Sequence, residues 1–230
     1  MVVAMHMSDG LVNAPTSLAF GLFAVLVLAV AVSRARADLD DRTAPMAGLV
    51  TAFVFAVQMI NFPILPGASG HLLGGALVAI LVGPWVGTLC IAIVLLVQGV
   101  LFADGGLTAL GMNITNMAIV GVFTGYLVAR SLRRIAQRSR RGLLAVAFTA
   151  AFVNTVVASL AFVLEYALGG AGGASLGTVF ALIVGLHALI GIGEGLITAA
   201  TVGAVAGTRP DLIYLLRQPA RGRATAGSAR

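Results

Sequence analysis

Every basic residue in this chain is an arginine, and the fourteen of them fall in three short clusters flanking long apolar runs. Three lie between positions 34 and 42, six between 130 and 141, and five between 209 and 230. Between the clusters, dozens of residues pass without one arginine. That arrangement constrains the fold before anything else does. Apolar runs of about 20 residues or more are what a bilayer-crossing helix needs, and arginine-rich connections are what orient such helices. A composition 60% hydrophobic and 10% charged, with mean hydropathy +1.06, agrees. The net charge of +6 therefore marks topology, not a nucleic-acid surface. With one cysteine, Cys90, intrachain disulfides and thiolate metal clusters are excluded.

Apolar runs cover residues 15–32, 46–62, 71–102, 107–128, 142–168 and 176–206. The first is not a signal peptide, because no basic residue precedes it. The third is too long for one span, and Gly83-Pro84 lies inside it; proline is tolerated best at a helix start. The reading is therefore a short helix over 71–82 and a longer one over 84–102. This gives an all-α, polytopic membrane protein of seven helices. With the N-terminus outside, the loop 34–45, the Gly83-Pro84 turn, the loop 130–141 and the C-terminal tail all fall on the cytoplasmic side with every arginine. Six helices would split the arginine clusters between the two sides.

The same count places two histidines together outside. His6 follows Met5, and His71 opens the segment after the loop 63–70. A free amine on Met5, the next backbone nitrogen and the His6 imidazole would chelate one transition-metal ion in fused five- and six-membered rings. A second imidazole, from His71, completes four nitrogens, a set suited to square-planar or tetragonal nickel, copper or cobalt. The bland alternatives are a solvated terminal residue for His6 and, for His71, one that caps its own helix or sits at the interface; at a helix start the dipole would also keep the His71 imidazole unprotonated and available as a ligand. The chelate needs Met5 as first residue, so residues 1–4 are read as a mis-assigned or removed extension.

Other polar residues divide between packing and function. Ser69 is expected to N-cap the helix that follows. Asn113 and Asn116, one turn apart, either glue helices or support a ligand. His187 and Glu194 share a face of the last helix, and an ionisable residue at mid-membrane is costly enough to be functional or strongly paired. Glu165 and Gln98 are read as packing or interfacial residues. Gln58 fits either role. Gly70-x-x-x-Gly74 and similar pairs fit close helix packing.

Without lysine no GxxxxGK[ST] phosphate loop exists, so the chain is not a self-contained pump. No hydrolase motif is present, and it is not read as an enzyme. A proton-coupled secondary transporter using Glu194 is the alternative to a binding subunit energised by other proteins. No paired broken helices or inverted repeats support it.

Taken in order, several segments resemble the substrate-capture permease of energy-coupling-factor cobalt/nickel transporters, the CbiM/NikM type. They are Met5-His6-Met7-Ser8-Asp9-Gly10, Ser69-Gly70-His71-Leu72-Leu73-Gly74-Gly75, Leu81-Val82-Gly83-Pro84-Trp85 and Gln98 with Leu101-Phe102-Ala103-Asp104-Gly105-Gly106-Leu107. Gly111-Met112-Asn113-Ile114-Thr115-Asn116-Met117 and Gly191-Ile192-Gly193-Glu194-Gly195-Leu196-Ile197-Thr198 follow. The resemblance runs from Met5 to about Gly207. It implies a seven-helix membrane fold in a bacterial or archaeal cell membrane. It also implies capture of Co2+ or Ni2+ as cargo by Met5, His6 and His71, with no permanently bound cofactor. Asn113 and Asn116, with Ser69, become candidates to support the metal loop. The implied partners are a second, energy-coupling membrane subunit and paired cytoplasmic ATPases, with room for a small accessory membrane subunit. Residues 5–207 would form the membrane domain, and 208–230 a disordered cytoplasmic tail.

Overall fold

The computed structural model describes residues 6–60, 62–65 and 68–217. Each of the seven expected apolar segments contains helix. They are α1 (Ala14–Asp38), α2 (Thr43–Gln58), α3 (Gly75–Val82) and α4 (Pro84–Leu101). A continuous helical run follows, composed of α5 (Leu110–Asn113), a π-helical stretch (Ile114–Gly121) and α6 (Val122–Ser131). After the short α7 (Arg133–Ala136) come α8 (Arg140–Gly169) and α9 (Leu176–Thr208). Side-chain caps start the long helices: Asn13 accepts from Thr16 N at 3.0 Å, Ser139 from Gly142 N at 3.0 Å, and Ser175 from Thr178 N at 3.2 Å.

Among the described residues, five helices are long and apolar enough to cross a membrane: α1, α4, the 110–131 run, α8 and α9. Helix α2, with 16 residues, is shorter. Helix α3 has only 8, about 12 Å of rise, well short of the roughly 30 Å hydrocarbon core. It does not face lipid: all its residues are buried, and it packs on α2, α4, α6 and α8. It is the hub on which the other helices close. The break between α3 and α4 falls where the sequence placed it, at Gly83 (φ +90°), with Pro84 opening α4.

Three local expectations are corrected. Residues 71–74 are not helical; α3 starts at Gly75, and the backbone of 71–74 is instead held by side chains from other helices. Ser69 is therefore not its N-cap: it lies in β2 (Ala68–Gly70), which pairs antiparallel with β1 (Phe62–Leu65), and the N-cap is Gly74. The stretch read as the loop 63–70 thus contains a pair of antiparallel strands that bring the chain back toward the core. Residues 209–217, read as the start of a disordered tail, pack under the helix ends. Ile213 and Leu215 are buried, and Arg217 Nη1 donates to Thr43 Oγ1 at 2.9 Å. Residues 218–230, like 1–5, lie outside the described residues.

The two ends of the bundle differ in chemistry. At one, arginines tie the helix ends together: Arg133 donates to the Arg217 carbonyl, Arg140 to the Gly203 carbonyl at 3.3 Å, and Arg42 pairs with Asp211 at 3.7 Å. At the other, the segment before α1 is bound to the α8–α9 connection. Asn13 N donates to the Gly169 carbonyl at 2.8 Å, and Ala171 N to the Leu11 carbonyl at 2.9 Å. The described arginine clusters thus do share an end. Between the ends, large side chains such as Leu18, Leu22, Val25 and Leu26 of α1 stand exposed, as lipid-facing residues must.

Gly74 joins the hairpin to the hub. Its φ is +78°, and a methyl there would come within 2.8 Å of Val54 Cγ2. Gly74→Ala is expected to cost about 1–2 kcal/mol from the left-handed backbone alone, before any clash. A lowered thermal midpoint in detergent would show it; an unchanged midpoint would contradict this account of the junction.

Candidate metal centre

The loop carrying His71 is positioned by buried polar side chains from other helices. Leu73 N and Gly74 N donate to the two oxygens of Glu194 on α9, at 2.8 and 3.0 Å. Gln58, at the end of α2, donates to the Leu73 carbonyl at 2.7 Å. Both polar groups of Leu73 are therefore held, two residues after His71. Glu194 is itself steadied from α8: Asn154 Nδ2 donates to it at 2.9 Å. Thr155 Oγ1 lies 2.8 Å from Glu194 and 2.9 Å from the Ala151 carbonyl, with one hydrogen to share between them. The carboxylate also sits at the N-terminal end of α3, where negative charge is favoured. Glu194 is buried and both its oxygens are engaged.

His6 is positioned in the same manner. Met7, wholly buried, donates its N–H to Asn113 Oδ1 at 3.0 Å, and its carbonyl accepts from Asn113 Nδ2 at 3.1 Å. Gly106 N adds a bond to the same carbonyl at 3.1 Å. Asp9-Gly10 forms a turn, with Gly10 at φ +79°, and Thr108 donates to the Asp9 carboxylate. His6 and Met7 are thus buried and Met7 is clamped, so His6 is not a solvated residue.

These two devices bring the imidazoles together. The rings of His6 and His71 lie 4.8 Å apart between centroids, inclined at 57°, and both residues are only 4% exposed. His71 Nδ1 lies 2.8 Å from the Leu72 carbonyl. A carbonyl only accepts, so Nδ1 carries the hydrogen and Nε2 the lone pair. Burial, and then the neighbouring His6, hold this imidazole well below its ordinary pKa, against the pull of the Leu72 bond. The helix-start dipole expected to do this is not the cause, since α3 begins four residues later. Neither ring nitrogen of His6 has a hydrogen-bond partner among the described residues. Asp104 Oδ1 stands 3.7 Å from His6 Nδ1, adding negative charge beside the pair.

The histidines open on a cavity of about 40 Å3, lined also by Asn113, Asn116, Ser159 and His187. No group of three or more His, Cys, Asp or Glu side chains converges as a metal site among the described residues. With no third such side chain converging on the pair among the described residues, a metal held by both imidazoles would find its remaining donors on the backbone or the chain start. Met5 lies outside the described residues, and so does the side chain of Ser69.

Two residues read as packing or interfacial are buried ones. Glu165, read as packing or interfacial, is 1% exposed and accepts from Asn116 Nδ2 at 2.7 Å. Gln98 is also fully buried, with Nε2 3.9 Å from Met59 Sδ. Asn154 and Thr155 were not singled out from the sequence. Their signal was available: adjacent polar residues in the middle of an otherwise apolar helix, which must find partners inside the bundle.

The model of a family described as "Cobalt uptake substrate-specific transmembrane region" matches residues 6–212. A putative fused nickel transport protein of Archaeoglobus fulgidus is 39% identical over 217 residues, 94% of this chain and 70% of the relative. A cobalt transport protein of Sorangium cellulosum is 31% identical over 220 residues, 93% of this chain and 96% of the relative. A crystal structure of a truncated transition metal transporter superposes with TM-score 0.78 at 26% identity, covering 88% of this chain and 99% of that one.

Glu194→Ala would leave two buried amides without an acceptor, each worth about 1–3 kcal/mol. Faster hydrogen exchange at Leu73 and Gly74, with a lower thermal midpoint, is expected. Glu194→Gln, retaining one carbonyl acceptor, should fall between. Exchange at wild-type rates in Glu194→Ala would rule out the anchoring role.

Proposed function

The chain belongs to the cobalt uptake substrate-specific transmembrane family, and we propose that it is the substrate-capture subunit of an energy-coupling-factor importer, taking Co2+ or Ni2+ from outside the cell. One observation carries the reading: two buried imidazoles 4.8 Å apart, one of them without a hydrogen-bond partner for either nitrogen among the described residues. Leaving such groups buried is costly unless something else takes the lone pairs. A divalent ion does so.

In this reading the cargo ion has four nitrogen ligands. They are the amine of Met5, the backbone nitrogen of His6, a ring nitrogen of His6, and Nε2 of His71. The first requires a chain whose first residue is Met5. Such a planar set prefers nickel to cobalt by intrinsic affinity, although relatives with either metal in their names are similar to this chain. Asn113 supports the site by clamping Met7, and Glu194 with Gln58 supports it by clamping Leu73. The arginine-bearing end faces the cytoplasm and the histidines face outside. Energy comes from a coupling membrane subunit and cytoplasmic ATPases, since the chain has no phosphate loop. A proton-coupled carrier would need Glu194 to exchange protons with a pathway. Its carboxylate is instead engaged by Leu73, Gly74, Asn154 and Thr155.

His6→Ala and His71→Ala should each weaken Ni2+ and Co2+ retention by more than the 10- to 100-fold typical of losing a supporting residue. Metal analysis of the purified chain checks this, and retention unchanged in both variants would defeat the proposal. Intact-mass measurement of the mature chain is expected to show Met5 as the first residue of the form that retains metal. Equal retention by a form that keeps residues 1–4 would remove the amine from the ligand set.

A further inference from the structure

Three polar residues lining the cavity share a property that the capture site alone does not require. His187 Nδ1 lies 2.7 Å from the Ile183 carbonyl, so its hydrogen is committed there and Nε2 holds the lone pair. Ser159 Oγ donates to the Val156 carbonyl at 2.7 Å, leaving only oxygen lone pairs. Asn116 is 4% exposed; its Nδ2 is drawn to Glu165 at 2.7 Å, and its Oδ1 has no partner among the described residues. Glu165 thereby fixes which end of the amide is turned away from it. All three residues line the same cavity as His6 and His71. In each case a hydrogen is bonded elsewhere, while nitrogen or oxygen lone pairs are left over. An anion would find few donors there; a cation finds acceptors.

We propose that His187 Nε2, Asn116 Oδ1 and Ser159 Oγ form a second cation position adjoining the His6–His71 pair, which holds the divalent ion on its way to or from the four-nitrogen set. Its mixed nitrogen and neutral-oxygen donors bind a late first-row divalent ion more weakly than four nitrogens do. That weakness suits a position from which the ion must leave. The cavity, about 40 Å3, has room for an ion carrying a water or two. Asn116 sits on the π-helical stretch Ile114–Gly121, a departure from α-helical geometry that is often found at functional sites. Glu165 is a positioning residue for Asn116.

The inference rests on the capture reading, and its test separates the two. The full chain, purified in detergent, is titrated with Co2+ while its visible spectrum is recorded. Wild type should bind tightly. His71→Ala should retain one weaker equivalent, and adding His187→Ala or Asn116→Leu to His71→Ala should weaken that residual binding by at least about tenfold. Should His187→Ala unfold the chain, His187→Gln in the His71→Ala background replaces the ring nitrogen with an amide, and the residual Co2+ spectrum should shift. The second position is overturned if wild type binds but His71→Ala retains nothing. It is equally overturned if the residual affinity and spectrum ignore the changes at 187 and 116. If wild type itself binds no Co2+, the capture reading fails, and this inference fails with it.

Discussion

The centre depends on the Glu194 carboxylate, which accepts the backbone N–H groups of Leu73 and Gly74. A carboxylate in a membrane-embedded bundle is tolerable only when donors surround it. Here backbone from one segment and side chains from α8 supply them, each charge-assisted bond contributing about 1.5–3 kcal/mol. The consequence is geometric: the loop carrying His71 cannot drift without orphaning a buried charge. Asn113 does the corresponding work for His6 through Met7. Each histidine thus stands next to, or two residues from, a backbone unit whose N–H and C=O are both held. A small, precise pair of imidazoles results from clamps that do not touch the rings.

The short helix α3 explains how such a loop can lie inside a membrane protein at all. Non-helical backbone at depth is tolerated only where protein covers it and satisfies its polar groups. The hairpin returns the chain toward the core, Gly74 turns it with a left-handed φ, and α3 runs for only 8 residues to Gly83, which lies against Tyr214. Gln58 and Glu194 satisfy what the missing helical turn would have satisfied. The long helices α1 and α9 keep much of their surface exposed, as elements that meet lipid or partner helices do.

Much of the fold was legible in the sequence because it follows from hydropathy and charge. The apolar runs located the helices, the Gly83-Pro84 step located the break, and the arginine clusters predicted which ends share a side. His6 and His71 could be paired because the helix count put them at one end. The clamps were not legible. Glu194 and Leu73 are 121 positions apart, and periodicity carries no information about such a contact. The start of α3 was misjudged because Leu72 and Leu73 run on into the apolar helix they precede, while their conformation is set by Gln58 and Glu194 rather than by propensity. Glu165 was undervalued for a related reason: its burial depends on Asn116, on a different helix. A mid-helix Asn154-Thr155 pair was the one overlooked signal that the sequence did contain.

The central claim is that two clamped imidazoles and the start of the chain hold one cargo ion through nitrogen. X-ray absorption at the nickel edge, on the chain loaded with one equivalent of Ni2+, addresses it directly. The account predicts a shell of four light ligands at nitrogen distances, with multiple-scattering features of two imidazoles, and the second imidazole lost in His71→Ala. A shell dominated by water oxygen, or a spectrum with no imidazole contribution that His71→Ala alters, would contradict it.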